Sequence, residues 1–103
     1  MVLFKRHLLQ LVLQGRKTQT RRTHRYELTP GRTYPIKSSY CEWPRGHIRV
    51  TQKFRQRLGD ISEPDARAEG FESIEDFQRA WAAIYGSWNP DQVVIAYEFE
   101  LVG

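Results

Sequence analysis

Cysteine is almost missing from this sequence. Cys41 stands alone, so no disulfide can form within the chain and a cysteine-built zinc site is disfavoured. His7, His24 and His47 are too far apart for metal-ligand spacing, so neither a metal nor a cofactor is expected. No apolar run approaches the ~18 residues that a membrane helix needs. The stretch from Leu8 to Leu13 is short and carries Gln10. Arg16 and Lys17 follow it, rather than a small-residue cleavage site. Met1 to Leu13 is therefore read as a structural helix of a cytoplasmic protein, not as a leader. Repeats, linkers and low-complexity tracts are absent as well. The 103 residues fit one domain spanning 1–103.

Charge is plentiful and unevenly placed. The net charge is +4, but residues 1–57 carry +12 and residues 58–103 carry −8. Such asymmetry suits a positive face turned toward a polyanion, of which nucleic acid is the commonest. The alternative is that the two halves pair with each other and solvate an ordinary surface.

Periodicity gives alternating elements. Phe4 to Gln14 reads as a helix closed by Gly15. Thr18 to Arg25 and Thr33 to Tyr40 read as strands, separated by the turn Thr29-Pro30-Gly31. After a loop from Glu42 to Gly46, His47 to Leu58 reads as a strand. Ile48, Val50 and Phe54 are expected on one face, and Arg49, Lys53, Arg55 and Arg57 on the other. Ser62 can cap a short helix ending near Glu69, with Gly70 as its left-handed cap. Ser73 and Asp76 resemble a capping box. The helix they open carries the stripe Ile74, Phe77, Trp81, Ile84 and Tyr85. Gln92 to Val102 is the last strand, with Val93, Ile95, Tyr97, Phe99 and Leu101 on one face. This order predicts an α+β fold, a small curled sheet or barrel flanked by helices.

The segment Gly15-Arg16-Lys17-Thr18-Gln19-Thr20-Arg21-Arg22 resembles the signature of the ASCH domain family. That signature is Gly, any residue, Lys, any two, Thr, any residue, Arg, and it falls on Gly15, Lys17, Thr20 and Arg22. Leu58-Gly59-Asp60-Ile61 and the run from Asp65 to Phe71 match further on, so the resemblance covers nearly the whole chain. Two positions depart from the family pattern: Arg32 stands where an acid is common, and Arg21 where an apolar residue is common. The resemblance implies a PUA-like β-barrel with a cleft beside the signature turn that binds RNA or a cytidine-type nucleoside. It also implies an alternative, since a small subgroup of similar length consists of acetylcytidine amidohydrolases. In that subgroup the catalytic residues correspond to Lys17, Thr20 and Glu69. Other relatives are ribonucleases.

The residues themselves leave both chemistries open. A threonine nucleophile needs a base, and Lys17 can serve only if its pKa falls from ~10.4 toward neutrality. Burial and the neighbouring Arg16, Arg21 and Arg22 push in that direction. Glu69 sits at a helix C-terminus, where the dipole disfavours a carboxylate, and this suits a general acid. Arg22 can hold an oxyanion or a phosphate bidentately. The same residues fit quieter roles. Arg16, Lys17 and Arg22 can contact phosphates, Thr20 can hydrogen-bond a ligand, and Glu69 can form a buried ion pair.

Arg49, Lys53, Arg55 and Arg57 form a second candidate surface. Alternate strand residues lie ~6.6 Å apart, near the spacing of successive phosphates. Among the loop aromatics Tyr26, Tyr40, Trp43 and Trp88, Trp43 is the first choice for stacking on a base. Trp81 is expected in the core. His24 and His47 flank basic strands and could contact a phosphate.

Overall fold

A computed structural model describes residues 1–23 and 27–102. His24, Arg25 and Tyr26 lie outside the described residues, and with them the expected end of the second strand.

Among the described residues, five strands form one sheet. They are β1 (Val2–Leu3), β2 (Gln19–Arg22), β3 (Thr33–Lys37), β4 (Gly46–Arg57) and β5 (Val93–Leu101), in spatial order β1-β3-β4-β5-β2. Only the β1–β3 pair is parallel. The helices are α1 (Arg6–Leu13), α2 (Glu63–Ala68) and α3 (Ile74–Tyr85). The result is an α+β fold, a curled half-barrel with three helices.

Burial explains why the sheet curls between helices. On one side Leu9 and Val12 of α1 pack against Ile36, Ile48, Val50, Tyr97 and Phe99. On the other, Phe77 and Trp81 of α3 and Ala66 of α2 pack with Val94 and Leu58. Strand β5 is therefore covered on both faces through its middle. Val93 and Leu101, at its ends, are exposed, so the expected inward stripe holds only for Ile95, Tyr97 and Phe99.

Two boundaries differ from the sequence reading. The first residues form β1 rather than a helical turn, because Val2 and Leu3 pair with Ile36 and Lys37. Strand β3 stops at Lys37, where Glu42 takes over the next amide by accepting hydrogen bonds from Ser38 N–H and Ser38 Oγ. The helix caps behave as expected. Ser62 Oγ accepts from Asp65 N–H at 3.2 Å, and Ser73 Oγ from Asp76 N–H at 3.1 Å.

The expected two faces of β4 are overturned by a β-bulge. Val50 pairs with Phe99 and Gln52 with Glu98, which leaves Thr51 as an extra residue. One added residue reverses the alternation beyond it. Lys53, Arg55 and Arg57 therefore lie opposite Tyr97, Ile95 and Val93, on the sheet face of Ile48 and Val50. Phe54 moves to the other face, opposite Ala96, while Arg49 stays opposite Glu100. The four basic residues do not make one row.

Candidate functional site

The turn after α1 is fixed by its backbone. Arg16 N–H and Lys17 N–H both donate to Leu11 O, at 2.9 and 3.1 Å, and Gly15 supplies a positive φ of 77°. Thr18 N–H then donates to Ala68 O at 2.7 Å, fastening this turn to the end of α2. The chain enters edge strand β2, where Gln19 and Arg21 alternate with Thr20 and Arg22. Glu69 follows α2, and Gly70 turns the chain with φ 103°.

This arrangement buries a polar network. Lys17, Gln19, Thr20, Arg21 and Glu69 are each at most 6% exposed. Lys17 Nζ donates to Gln19 O at 2.8 Å, Glu69 O at 2.7 Å and Glu69 Oε1 at 2.9 Å. An ammonium has three hydrogens, so these acceptors saturate it. Arg21 Nη1 donates to Glu69 Oε2 at 3.0 Å and Gln19 Oε1 at 2.8 Å. Its Nε reaches Gln56 Oε1 at 2.9 Å, and its Nη2 reaches Asp65 Oδ2 at 3.3 Å. Lys17 and Arg21 are thus matched by Glu69 and Asp65. Burial pulls the Lys17 pKa below the ordinary lysine value, while the adjacent Glu69 carboxylate pulls it back up.

Thr20 and Arg22 point to the neighbouring face of β2. Arg22 Nε donates to Thr20 Oγ1 at 3.2 Å, and Arg22 Nη2 to Leu3 O at 2.8 Å. The guanidinium lies 5.1 Å from the centre of the Phe4 ring, and Lys17 Nζ 5.7 Å from it.

Lys17, Thr20, Arg21, Arg22 and Glu69 border one cleft of about 190 Å³, with Phe4, Phe71, Phe77, Trp81 and Tyr85 among its other walls. Trp81 and Tyr85 pack at 4.3 Å between ring centres, tilted by 32°. Trp81 Nε1 is buried and, among the described residues, is the one buried side-chain polar atom without a hydrogen-bond partner. The cleft therefore combines an ion-paired floor with aromatic walls. No group of three metal-ligating side chains gathers among the described residues.

Three residues of the sequence reading acquire definite partners. Glu69 accepts from two cations, Lys17 and Arg21, as the buried ion-pair reading of this residue expected. No hydrogen bond joins Lys17 to Thr20 among the described residues; the Thr20 hydroxyl is engaged by Arg22. Arg21, expected as a neighbouring charge that lowers the Lys17 pKa, is itself a buried bridge between β2, β4 and α2. The signal for it was present. Gln19 and Arg21 share one strand face, and Asp65 and Glu69 are separated by four residues at the end of a helix.

The outer candidates lie apart from the cleft. Arg16 is exposed and borders a separate groove. Arg49 pairs with Glu100 at 3.1 Å, Lys53 with Glu27, and Arg57 with Asp60 and Asp91 at 3.5 and 3.6 Å. Much of the basic charge is thus met by acids, as the alternative reading of the charge asymmetry expected. Arg55 is exposed. Trp43, 89% exposed, projects from the β3–β4 loop, well outside the lining of the cleft. Trp88 is partly buried and packs edge-on against Phe77, with Trp81 in the core. His47 is exposed on β4; His24 and Tyr26 fall outside the described residues.

The half-barrel, its flanking helices and the cleft at its edge strand define a PUA-like α+β domain. The chain belongs to the ASCH domain family, whose model matches residues 1–103. That family is generally RNA-binding. The fold is similar to that of an ASCH domain from Lactobacillus crispatus JV V101, with a TM-score of 0.80 at 17% identity over 92% of this chain and 70% of that one. It is also similar to protein EF3133 from Enterococcus faecalis V583, with a TM-score of 0.72 at 27% identity over 93% and 67% of the two chains. Hypothetical protein PH0355 gives 0.73 at 17% identity over 96% and 94%. None of the curated proteins matches the chain. No helix among the described residues is long and apolar enough to cross a membrane.

Proposed function

We propose that this ASCH domain binds RNA by seating one base in the cleft between β2 and α3, with Lys17, Thr20, Arg22 and Glu69 at its polar side. The observation that carries this reading is the saturated Lys17 ammonium. Its three hydrogens are taken by Gln19 O and two oxygens of Glu69, at 2.7 to 2.9 Å. A base for threonine attack needs a lone pair there. What the cleft offers a ligand is shape, aromatic surface and hydrogen-bonding groups. Its volume is below the ~300 Å³ at which pockets for drug-sized ligands begin, which suits a single flat ring. Bases stripped from a helix stack on aromatic side chains. Trp81, whose indole N–H is buried and without a partner among the described residues, stands in the wall of the cleft.

The test is titration with short single-stranded RNAs and with free nucleosides at low salt. The expected result is RNA binding that weakens with salt and is reduced in Thr20→Val. Absence of binding at low salt, or affinity unchanged by Thr20→Val, overturns the reading.

One observation favours a second reading. Lys17, Thr20 and Glu69 border the same cleft, and burial depresses the Lys17 pKa. In an acetylcytidine amidohydrolase, Thr20 would attack the acetyl carbonyl, a neutral Lys17 would take its proton and Glu69 would supply one to the leaving amine; water would then hydrolyse the acetyl-threonine ester, releasing acetate and restoring the hydroxyl. Acetate release from acetylcytidine, lost in Thr20→Ala and Lys17→Ala, would establish the enzyme in place of the binding module.

A further inference from the structure

The bond from Thr18 N–H to Ala68 O joins two short segments whose residues part to opposite sides. Lys17 and Glu69 are buried on the inside, whereas Arg16 and Arg67 are exposed on the outside. The two outer guanidinium residues, with Gly70, Phe71 and Glu72, line an open groove of about 330 Å³. Phe71 also lines the cleft, so one residue borders both concavities. Neither Arg16 nor Arg67 has an ion-pair partner among the described residues, in contrast to Arg49, Arg57 and Arg79. Glu72 supplies one carboxylate to the groove, which leaves an excess of one positive charge.

The end of α2 would ordinarily repel an anion, because its carbonyls carry partial negative charge. Here those carbonyls are occupied. Asp65 O, Ala66 O, Arg67 O, Ala68 O and Glu69 O accept from Glu69 N–H, Phe71 N–H, Gly70 N–H, Thr18 N–H and Lys17 Nζ, at 2.7 to 3.0 Å. Arg16 and Arg67 are therefore the anion-attracting groups of the groove.

We propose that the Arg16–Arg67 groove holds the phosphate of a nucleotide whose base occupies the cleft, on the far side of Phe71. The inference rests on the base-binding reading of the cleft and narrows its ligand. The recognised unit carries a phosphate, as in an RNA chain or a nucleoside monophosphate, rather than being a free nucleoside. Guanidinium groups suit this role, since they bind phosphate oxygens through a planar fork of donors.

The experiment is calorimetric titration with the four ribonucleosides and their 5′- and 3′-monophosphates, at about 50 and 200 mM salt. The proteins are wild type, the double variant Arg16→Ala/Arg67→Ala, and Thr20→Val. Both arginines are exposed, so the double variant keeps the buried network. For at least one base, the monophosphate is expected to bind about tenfold tighter than the nucleoside, with a steeper salt dependence. The double variant should erase that advantage and leave nucleoside binding unchanged. Equal binding of nucleoside and monophosphate, or an advantage that survives in the double variant, overturns the phosphate site and leaves the cleft reading standing. Monophosphate binding that needs the arginines but ignores Thr20→Val, without any nucleoside binding, overturns the cleft reading and keeps the groove. Failure of every probe to bind overturns both.

Discussion

Lys17 Nζ and Glu69 Oε1 lie 2.9 Å apart, with only 2% and 5% of their side-chain surfaces exposed. The lysine comes from the turn before β2, and the glutamate from the turn after α2, 52 positions later. Each would be costly to bury alone. Together with Arg21 they make Glu69 the acceptor for two cations, so the carboxylate closes the edge of the half-barrel.

Replacing Glu69 by Gln is accordingly expected to destabilise the fold. It leaves Lys17 and Arg21 buried, with only the partly exposed Asp65 to offset them. Removing one partner of a buried ion pair costs about 3–5 kcal/mol. Urea unfolding of Glu69→Gln against wild type measures this loss. A change under ~1 kcal/mol, the scale of an exposed pair, would remove the network from its structural role.

Gly70 sits at φ 103°, and a Cβ there would come within 2.9 Å of Leu11 Cδ1. Gly31 has φ 88° with nothing within 4 Å of such a Cβ. Gly31→Ala should therefore report the backbone penalty alone, about 1–2 kcal/mol. Gly70→Ala should exceed it by the cost of moving the Leu11 side chain, whose tip must give way. Equal losses in thermal unfolding would show that the approach of Leu11 is without consequence.

Trp81→Phe tests the unpartnered indole. The substitution removes Nε1–H and keeps an aromatic ring in the wall. If the base supplies an acceptor to this donor, a neutral hydrogen bond of about 0.5–1.5 kcal/mol is lost, and binding should weaken roughly two- to tenfold. Unchanged nucleoside affinity, measured by calorimetry, would exclude the indole from recognition.

Glu42 provides a pH-dependent contact. The Ser38 N–H, and then the Ser38 hydroxyl, hold its carboxyl below the ordinary value of 4.5. A depressed carboxylate stabilises the folded loop above the unfolded value, and the contribution disappears as pH falls through the lower folded value. Acid titration followed by NMR should therefore show the Ser38 amide moving with the Glu42 carboxyl, below the range of free glutamate. Glu42→Gln should abolish that transition. A carboxyl that titrates as free glutamate would contradict the assigned contact. The loop also carries Trp43, so its exposed ring should sense the same event by fluorescence.

Much of this protein is written locally. Ser62 and Ser73 open helices because their hydroxyls reach amides three residues on. Gly70 closes α2 because its φ is one that L side chains rarely adopt. The signature residues Lys17, Thr20 and Arg22, and through the family resemblance the distant Glu69, could be named as candidates because a signature of residue types at short spacing survives in one dimension. Their company could not. The extra residue Thr51 reverses the faces of β4, and only its pairing with β5 reveals this. Arg21 reads only as a departure from the family pattern that adds positive charge, until α2 brings Asp65 and Glu69 against it. The partners of Lys17 and the acids facing Arg49, Lys53 and Arg57 were likewise chosen by packing. Turns and caps depend on neighbours a few bonds away. Ion pairing and burial depend on segments far apart in the chain, and only the closed sheet brings those together.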